Sequence, residues 1–332
     1  MKICICGGGN LGHVCAGFLA NRGHRVSILT TKPERWNDEL EIVAPDGIIT
    51  GKLQRISSKP EEVIPQAEMV LVCLPGFAIH DELVKITPFL SKETIVGSVV
   101  SSTGFFFEAL KVLPSDIPLF GFQRVPFISR IIDYGKKAEL KGYKETLHVA
   151  IENTLEKESI RKQLEKLFEK PVSLADNFYE VSLSNSNPLL HPARLYTMWK
   201  DWHPGIAYPR NPQFYAEWTL EASTLLIKMD DEFQQLLKAL GLKPGCIPTI
   251  LDYYESTDAV SLTQKLHDIK AFQGILSPMK EIKDGWIPDF SSRYFTEDFP
   301  YGMRFIVETA HKQSVTIPTI EEVYQWGLSK MR

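Results

Sequence analysis

Apolar runs and helix-like segments alternate along the first half of the chain. Residues 11–22 place apolar side chains on one face at helical spacing, and Gly23 follows as a helix stop. Strand-like runs that are apolar almost throughout lie at residues 2–6, 25–30, 69–74, 95–100 and 118–122. Continuously apolar strands separated by helices are typical of a parallel sheet that is covered on both faces. The pattern therefore predicts an α/β fold for this part of the chain.

Turn residues and periodicity predict a hairpin, two more strands and a helix. The dipeptide Asp46-Gly47 lies between two apolar-rich stretches and predicts a hairpin turn. A second pair of strands, separated by a charged helix, is predicted at 145–151 and 171–175, with the helix at 156–169.

The pattern changes after Asp176. From there on the chain contains long helical patterns, for example at 213–240, without a series of strands. We therefore predict two domains. Residues 1–177 form a doubly wound α/β domain, and residues 178–332 form an all-helical domain.

Composition narrows the class of protein. The chain has 332 residues, enough for about two domains, and a formal charge of −4, unlike a dedicated nucleic-acid binder. No apolar run reaches the ~18–20 residues of a membrane span, and the stretch Ile3–Cys6 ends at three glycines, unlike a signal peptide. The cysteines are five, an odd number, and Cys4, Cys6 and Cys73 lie in strand-like runs. This predicts buried thiols in a reducing, cytoplasmic compartment and no metal site. We expect small-molecule substrates, with no membrane or nucleic-acid partner, and leave a homodimer open.

A glycine motif directly follows the first strand. The residues Gly7–Gly12 read G-G-G-N-L-G and match G-x-G-x-x-G at the start of a helix. In this motif the first glycine allows a tight turn, the second lets the backbone approach a pyrophosphate, and the third allows close packing of helix and strand. The N–H groups of the first helical turn then face the phosphates. The predicted contacts of the dinucleotide here are Gly7, Gly9, Asn10, Leu11 and Gly12.

The end of the second strand distinguishes NAD from NADP. An NAD site usually has a carboxylate there, about 20 residues after the motif, which holds the ribose 2′-hydroxyl. This chain instead has Thr30, Thr31, Lys32 and Arg35, whose hydroxyls and cations suit a 2′-phosphate. We therefore predict NADP, with NAD as the alternative. Two further contacts are expected at the same edge of the sheet, from Leu74 and Pro75.

Three later segments resemble one enzyme family. They are Gly121–Phe127 (GFQRVPF), Asn185–Pro192 (NSNPLLHP) and Arg293–Gly302 (RYFTEDFPYG). With the glycine motif, they are similar to the opine dehydrogenases, which include octopine, nopaline and related N-(carboxyalkyl) amino acid dehydrogenases. The resemblance implies a Rossmann-type dinucleotide-binding domain at residues 1–177 and a helical domain with substrate and catalytic residues at 178–332. This is the two-domain architecture of 6-phosphogluconate dehydrogenases.

The resemblance also implies a reaction. An amino acid's amine attacks a 2-oxo acid, water leaves, and NAD(P)H reduces the imine. By the family pattern His191 is the general acid/base, Asp298 orients it and supports its charge, and Arg293 holds a substrate carboxylate. The residue types suit these roles, because imidazole titrates near neutral pH and a guanidinium can bind a carboxylate through two hydrogen bonds. We expect the substrate in a cleft between the two domains that closes for hydride transfer.

Three further residues are predicted to contact substrate, namely Gln123, Arg130 and Asn185. His203, which also precedes a proline, is a rival base for His191. A purely structural interpretation makes Arg293 part of a surface ion-pair cluster with Glu297 and Asp298.

Two other functions fit parts of this evidence. A ketopantoate-reductase-like enzyme or a hydroxyacid dehydrogenase would reduce C=O to an alcohol and would rely on a catalytic lysine, for which Lys200 and Lys228 are available. A non-catalytic NADP-sensing protein would bind the nucleotide without turnover.

Overall fold

The computed structural model describes residues 1–331, and the chain divides into two compact units. The first unit is Met1–Ser184, and the second begins at Asn185. The predicted boundary at residue 177 lies one short helix, Phe178–Ser182, before this division. The helix belongs to the first unit because Phe178 packs on Phe106 with ring centroids 5.4 Å apart. Within the described residues no helix has the length and apolar character that a membrane crossing requires.

The predicted alternation of strands and helices is confirmed in the first unit. Its strands are β1 (Lys2–Cys6), β2 (Arg25–Leu29), β3 (Glu39–Ala44), β4 (Gly47–Lys52), β5 (Arg55–Ser57), β6 (Met69–Val72), β7 (Ile95–Ser98), β8 (Leu119–Phe122), β9 (Phe127–Asp133), β10 (Lys137–Tyr143), β11 (Leu147–Glu152) and β12 (Val172–Leu174). Its α-helices are α1 (Asn10–Asn21), α2 (Pro60–Val63), α3 (Gly76–Ile86), α4 (Phe105–Val112), α5 (Lys157–Phe168) and α6 (Phe178–Ser182). The main sheet has eight strands in the order β12-β11-β8-β7-β6-β1-β2-β5.

Both faces of the main sheet are buried. Ile3 and Ile5 of β1 lie in one hydrophobic core, whereas Cys4 and Cys6 lie in the other. Successive side chains of a strand point to opposite faces, so burial on both sides requires a continuous apolar run. The prediction that Cys4, Cys6 and Cys73 are buried thiols is confirmed.

A second sheet, of order β4-β3-β10-β9, packs on α1. Gly17 permits the close approach, because a Cβ there would lie 2.5 Å from Cγ1 of Ile42. The helix is therefore buried all the way from Gly12 to Leu19, and not on one face as its pattern predicted. The turn predicted at Asp46-Gly47 joins β3 to β4.

The chain reverses direction between β8 and β11. The strands from β8 to β5 run parallel, as predicted for the early runs, but β11 pairs with β8 in the antiparallel direction. Between them the chain forms the antiparallel β9–β10 pair of the second sheet. A parallel pairing would have needed a crossover connection, and this hairpin does not provide one.

The second unit is mainly helical, as predicted. Its helices are α7 (Asn187–Trp199), α8 (Leu220–Ala239), α9 (Ile250–Tyr253), α10 (Ala259–Asp268), α11 (Arg293–Thr296), α12 (Arg304–Lys312) and α13 (Pro318–Lys330), and a π-helical segment, Phe299–Met303, precedes α12.

Two features of this unit differ from the sequence prediction. A hairpin of β13 (Met279–Ile282) and β14 (Gly285–Pro288) was not predicted, because its strands are short and largely outside the core. The helix predicted at 213–240 begins only at Leu220, where the Thr219 hydroxyl accepts the N–H of Ala222 at 3.2 Å and caps it.

Candidate functional site

The glycine motif forms the turn between β1 and α1. Gly7 has a φ of 120°, and a Cβ there would lie 2.6 Å from the carbonyl oxygen of Cys73. A Cβ on Gly12 would lie 2.0 Å from the oxygen of Gly7. By contrast, no atom lies within 4 Å of the Cβ position of Gly9, so the backbone is open there. The turn is thus tight on the protein side and accessible on the other.

The side chain of His13 holds this turn through hydrogen bonds. Its Nδ1 lies 2.9 Å from the carbonyl oxygen of Gly9, and its Nε2 accepts the N–H of Gly135 at 2.7 Å, so the ring carries its proton on Nδ1. The ring stacks on Trp36 with centroids 4.1 Å apart. Burial lowers the pKa of His13, which keeps the ring neutral. His13 is therefore a structural link between the glycine turn and the second sheet.

A cavity opens beside the motif at the ends of β1 and β2. It is lined by Gly7, Gly8, Leu29, Thr30, Thr31, Lys32, Leu74, Glu82, Lys85 and Tyr134. Five of these lining residues were predicted from the sequence as contacts of the dinucleotide, namely Gly7, Thr30, Thr31, Lys32 and Leu74. The guanidinium of Arg35 lies over the Tyr134 ring, 4.6 Å from its centroid. Sequence reasoning missed Glu82, Lys85 and Tyr134. They come from distant parts of the chain, on α3 and between β9 and β10.

The other predicted nucleotide contacts have different surroundings. The side-chain oxygen of Asn10 accepts the N–H of Ile131 at 2.8 Å, which ties the start of α1 to β9 and leaves the backbone of Asn10 at the helix N-terminus. Leu11 is partly buried against the core. Pro75 immediately precedes α3.

In the second unit, His191 contacts a carboxylate and a phenol. It lies on α7, and its Nδ1 is 2.7 Å from Oδ2 of Asp298. A carboxylate can only accept, so Nδ1 carries the proton. The Nε2 atom is 2.8 Å from the hydroxyl of Tyr215. The side chains of His191 and Asp298 are 12% and 14% exposed, so this pair is shielded but accessible.

Aromatic rings surround the imidazole. Tyr294 and Phe214 lie 4.7 Å and 5.7 Å from it, measured between ring centroids. Tyr215 stacks on Phe272 with centroids 4.1 Å apart. Burial raises the pKa of Tyr215 and of Tyr294, so both phenols stay neutral. The surroundings are mostly apolar with a few polar groups, which is typical of a small-molecule site.

Close backbone packing positions Asp298. The π-helical segment begins at the next residue, and within it Gly302 packs on Pro188, in the first turn of α7. A Cβ on Gly302 would lie 2.5 Å from Cγ of Pro188. Phe299 packs on α13, where a Cβ on Gly327 would lie 2.0 Å from its ring. The conformation after Asp298 therefore depends on two glycines that allow close approach.

The predicted substrate contacts lie in four different parts of the chain. Gln123 is half-buried just after β8, and Arg130 is exposed on β9. The side-chain oxygen of Asn185 accepts the N–H two residues later at 3.2 Å, close to the start of α7. The side chain of Arg293 is 84% exposed and lies 3.2 Å from Glu297 as an ion pair. This contact matches the structural interpretation of Arg293, and its role at a substrate stays a prediction.

Comparison with known proteins shows which enzymes this chain is similar to. Residues 174–331 match the model of the α-helical domain of NAD/NADP octopine/nopaline dehydrogenases. Octopine dehydrogenase of Mizuhopecten yessoensis is 29% identical over 100% of this chain and 90% of its own. Over its whole length the chain is similar to the opine dehydrogenases.

A further relative and a solved structure agree with this similarity. Tauropine dehydrogenase of Arabella iricolor is 25% identical over 98% of this chain and 90% of its own. A solved octopine dehydrogenase in complex with NADH and agmatine has a TM-score of 0.86 at 27% identity, covering 100% of this chain and 89% of that one. Residues 3–102 also match the model of ketopantoate reductase PanE/ApbA.

The rival catalytic residues lie in exposed positions. His203 is exposed, with Nδ1 3.2 Å from the carbonyl oxygen of Pro204. Lys200 forms an ion pair with Glu221 at 2.8 Å, and Lys228 is exposed on α8. In the described structure His191 has a shielded carboxylate partner, whereas His203 does not.

Proposed function

We propose that this protein catalyses the NAD(P)H-dependent reductive condensation of a 2-oxo acid with an amino acid, with His191 as the general acid/base. The observation that carries the proposal is the 2.7 Å contact between His191 and Asp298 among aromatic rings, in a chain that is similar to the opine dehydrogenases. Structures of octopine dehydrogenase hold NADH with agmatine, with L-arginine or with pyruvate. These ligands include an amino acid and a 2-oxo acid.

The glycine motif fits a dinucleotide pyrophosphate. The backbone at Gly9 is open, and the first turn of α1 directs its N–H groups toward that opening. In this proposal the pyrophosphate is held by Gly7, Gly9, Asn10, Leu11 and Gly12, with Leu74 and Pro75 beside the cofactor. When bound, the dinucleotide supplies the hydride that reduces the C=N bond.

The proposal includes a preference for NADP. Thr30, Thr31 and Lys32 line the cavity beside the motif, and Arg35 lies at its edge on the Tyr134 ring. Together they offer two hydroxyls and two cations to a 2′-phosphate. Glu82 lines the same cavity, and the Lys85 ammonium lies 4.0 Å from its carboxylate, which offsets the repulsion of a phosphate by Glu82.

His191 and Asp298 have distinct tasks. Asp298 accepts the Nδ1 proton, which selects one tautomer and stabilises the imidazolium. The imidazolium donates a proton to the carbinolamine oxygen as water leaves, and the neutral ring takes a proton in the reverse reaction. Arg293 binds a substrate carboxylate, and Gln123, Arg130 and Asn185 provide further polar contacts.

A panel of 2-oxo acids crossed with amino acids, followed by NADPH absorbance, tests this function. We expect turnover only when both substrates are present. His191→Ala should lower turnover by roughly 10²–10⁴ while nucleotide affinity stays nearly unchanged. His203→Ala is the matched control, because that histidine is exposed and should leave turnover unchanged. Equal turnover of His191→Ala and wild type would remove His191 as the acid/base.

The reduction of a C=O bond is the second candidate. The match of residues 3–102 to ketopantoate reductase favours it. Under this alternative the protein would oxidise NADPH with a 2-oxo acid alone, and an added amine would not raise the rate. Replacement of Lys200, which forms an ion pair with Glu221, would then abolish turnover.

The five free thiols fit a reducing compartment, and we include a cytoplasmic location in the proposal.

A further inference from the structure

Both nitrogens of the His191 ring are engaged. Because the Asp298 carboxylate accepts from Nδ1, the neutral ring has its lone pair on Nε2. The Tyr215 hydroxyl, 2.8 Å away, therefore donates to Nε2 in the neutral state. When the ring is protonated, the same oxygen accepts from Nε2–H. A proton that enters or leaves Nε2 meets the oxygen of Tyr215 first.

The Tyr215 ring is held on both sides. It is 5% exposed, stacks on Phe272 with an interplanar angle of 19°, and lies parallel to Trp218 at 7° with centroids 6.2 Å apart. Moving the phenol away from the imidazole would break these contacts and expose apolar surface. The hydroxyl is thus a fixed neighbour of Nε2.

The segment that carries Tyr215 is also braced. Arg210 donates to Glu217 through both terminal nitrogens, one of them at 2.7 Å, and Glu217 accepts the N–H of Gln213 at 2.8 Å. Buried Arg194 donates to the carbonyl oxygen of Glu217 at 2.6 Å. These contacts hold residues 210–218 as one unit, since a bidentate pair restrains both ends of the loop. The pair with Arg210 lowers the pKa of Glu217 to about 2, so the brace persists across the neutral range.

We infer that Tyr215 is a further catalytic residue, whose hydroxyl carries the proton between Nε2 of His191 and the substrate oxygen. This inference rests on the proposed function. In the condensing direction the Nε2–H bond of the imidazolium breaks as a new O–H bond forms on Tyr215. The original O–H proton of Tyr215 passes to the hydroxyl of the carbinolamine, the C–O bond breaks, and water leaves as the amine lone pair forms the C=N bond.

The phenol is neutral before and after this step. Burial raises the pKa of Tyr215 above its ordinary value, so a phenolate is not populated near neutral pH. Tyr215 therefore relays a proton that His191 stores, and the two residues act in series.

A double-mutant cycle tests the relay. Tyr215→Phe keeps the ring and its stacking but removes the hydroxyl, and we expect turnover to fall by roughly 10². The variant His191→Ala/Tyr215→Phe should be no slower than His191→Ala alone, because residues in series do not add their losses. Tyr253→Phe, on a tyrosine that is 51% exposed, should keep full turnover. Full turnover of Tyr215→Phe, or losses that multiply in the double variant, would overturn the relay.

The solvent isotope effect provides a readout that a structural role would not change. Two protons move together in a relay, so the rate in mixtures of H₂O and D₂O should depend on the deuterium fraction along a curve. In Tyr215→Phe one proton moves and the dependence should be linear. Linear dependence in both proteins would overturn the relay even if Tyr215→Phe were slow.

A measurement without substrate separates this inference from the proposed function. In the free protein the ¹⁵N resonance of Nε2 in neutral His191 should move downfield in Tyr215→Phe, because the ring nitrogen loses a donor. An unchanged resonance would overturn the relay. If the resonance moves but wild type turns over no pair of substrates, the proposed function fails while the contact between the two residues stands.

Discussion

The close approach of Gly302 to Pro188 offers a direct test of how Asp298 is positioned. In Gly302→Ala the added methyl would lie 2.5 Å from Cγ and 2.8 Å from Cβ of the proline ring, whereas ordinary contacts begin at 3.4 Å. The two segments must therefore separate by about 1 Å. Neither side can yield by rotating a side chain, since Pro188 is a rigid ring in the first turn of α7 and position 302 is in the π-helical segment.

This separation acts on the imidazole pair, because α7 carries His191 and the π-helical segment directly follows Asp298. Overpacking of this kind costs about 1–3 kcal/mol, which would lower the thermal midpoint by roughly 2–10 °C. A misplacement of ~1 Å at a catalytic group can lower turnover by about 10². We expect both effects in Gly302→Ala, with unchanged nucleotide affinity.

The assay compares kcat for the paired substrates with thermal unfolding of the same samples. Gly142→Ala is the matched control, since its methyl would lie 4.0 Å from the nearest atom, Cδ1 of Ile128, and should change neither quantity. A lower midpoint with full kcat would refute the link between this packing and Asp298. An unchanged midpoint would refute the packing argument itself.

Three further predictions follow from single residues. Arg293→Leu should raise KM for the 2-oxo acid with little change in kcat, because the guanidinium binds its carboxylate; steady-state kinetics showing no change would assign Arg293 to its surface pair with Glu297. Arg35→Ala should weaken NADPH by about tenfold more than NADH, measured by fluorescence titration, and equal losses would contradict the NADP preference. Burial raises the pKa of Asp230 to about 6, against about 3.9 in an unfolded chain, so the folded protein binds more protons between these values. The free energy of unfolding from Asp230 therefore falls as pH rises from ~4 to ~6, and Asp230→Asn should flatten the pH profile of urea denaturation in that range; parallel profiles for the two proteins would contradict this.

Several parts of the fold could be predicted because each is signalled within a few residues. The apolar run before Gly7 predicts β1, and the Asp46-Gly47 turn predicts the β3–β4 hairpin. The strands β9 and β10 were missed, since alternating and half-exposed residues such as Ile128 and Arg130 do not form a continuous apolar run. Burial of α1 on all sides was missed for a related reason, because the second sheet that covers it is assembled from distant strands.

The candidate site also combines residues that a local motif signals with residues that only the fold brings together. The glycine motif is a local signal, whereas His191 and Asp298 are 107 residues apart and were paired only through the family resemblance. Nothing in the neighbours of Tyr215 along the chain indicates that its hydroxyl reaches Nε2 of His191. The cavity residues Glu82, Lys85 and Tyr134 were missed for the same reason.

The amino-acid sequence by itself determined most of the alternating strands and helices of the first unit, the glycine turn and the resemblance to the opine dehydrogenases. These properties depend on backbone preferences and burial patterns that act over one or two turns of chain. Only the tertiary structure decided that Gly302 approaches Pro188, that Asp298 meets Nδ1 of His191, and that Tyr215 meets Nε2. Such contacts form when distant segments pack together, and their distances depend on side-chain volumes at positions far apart in the chain.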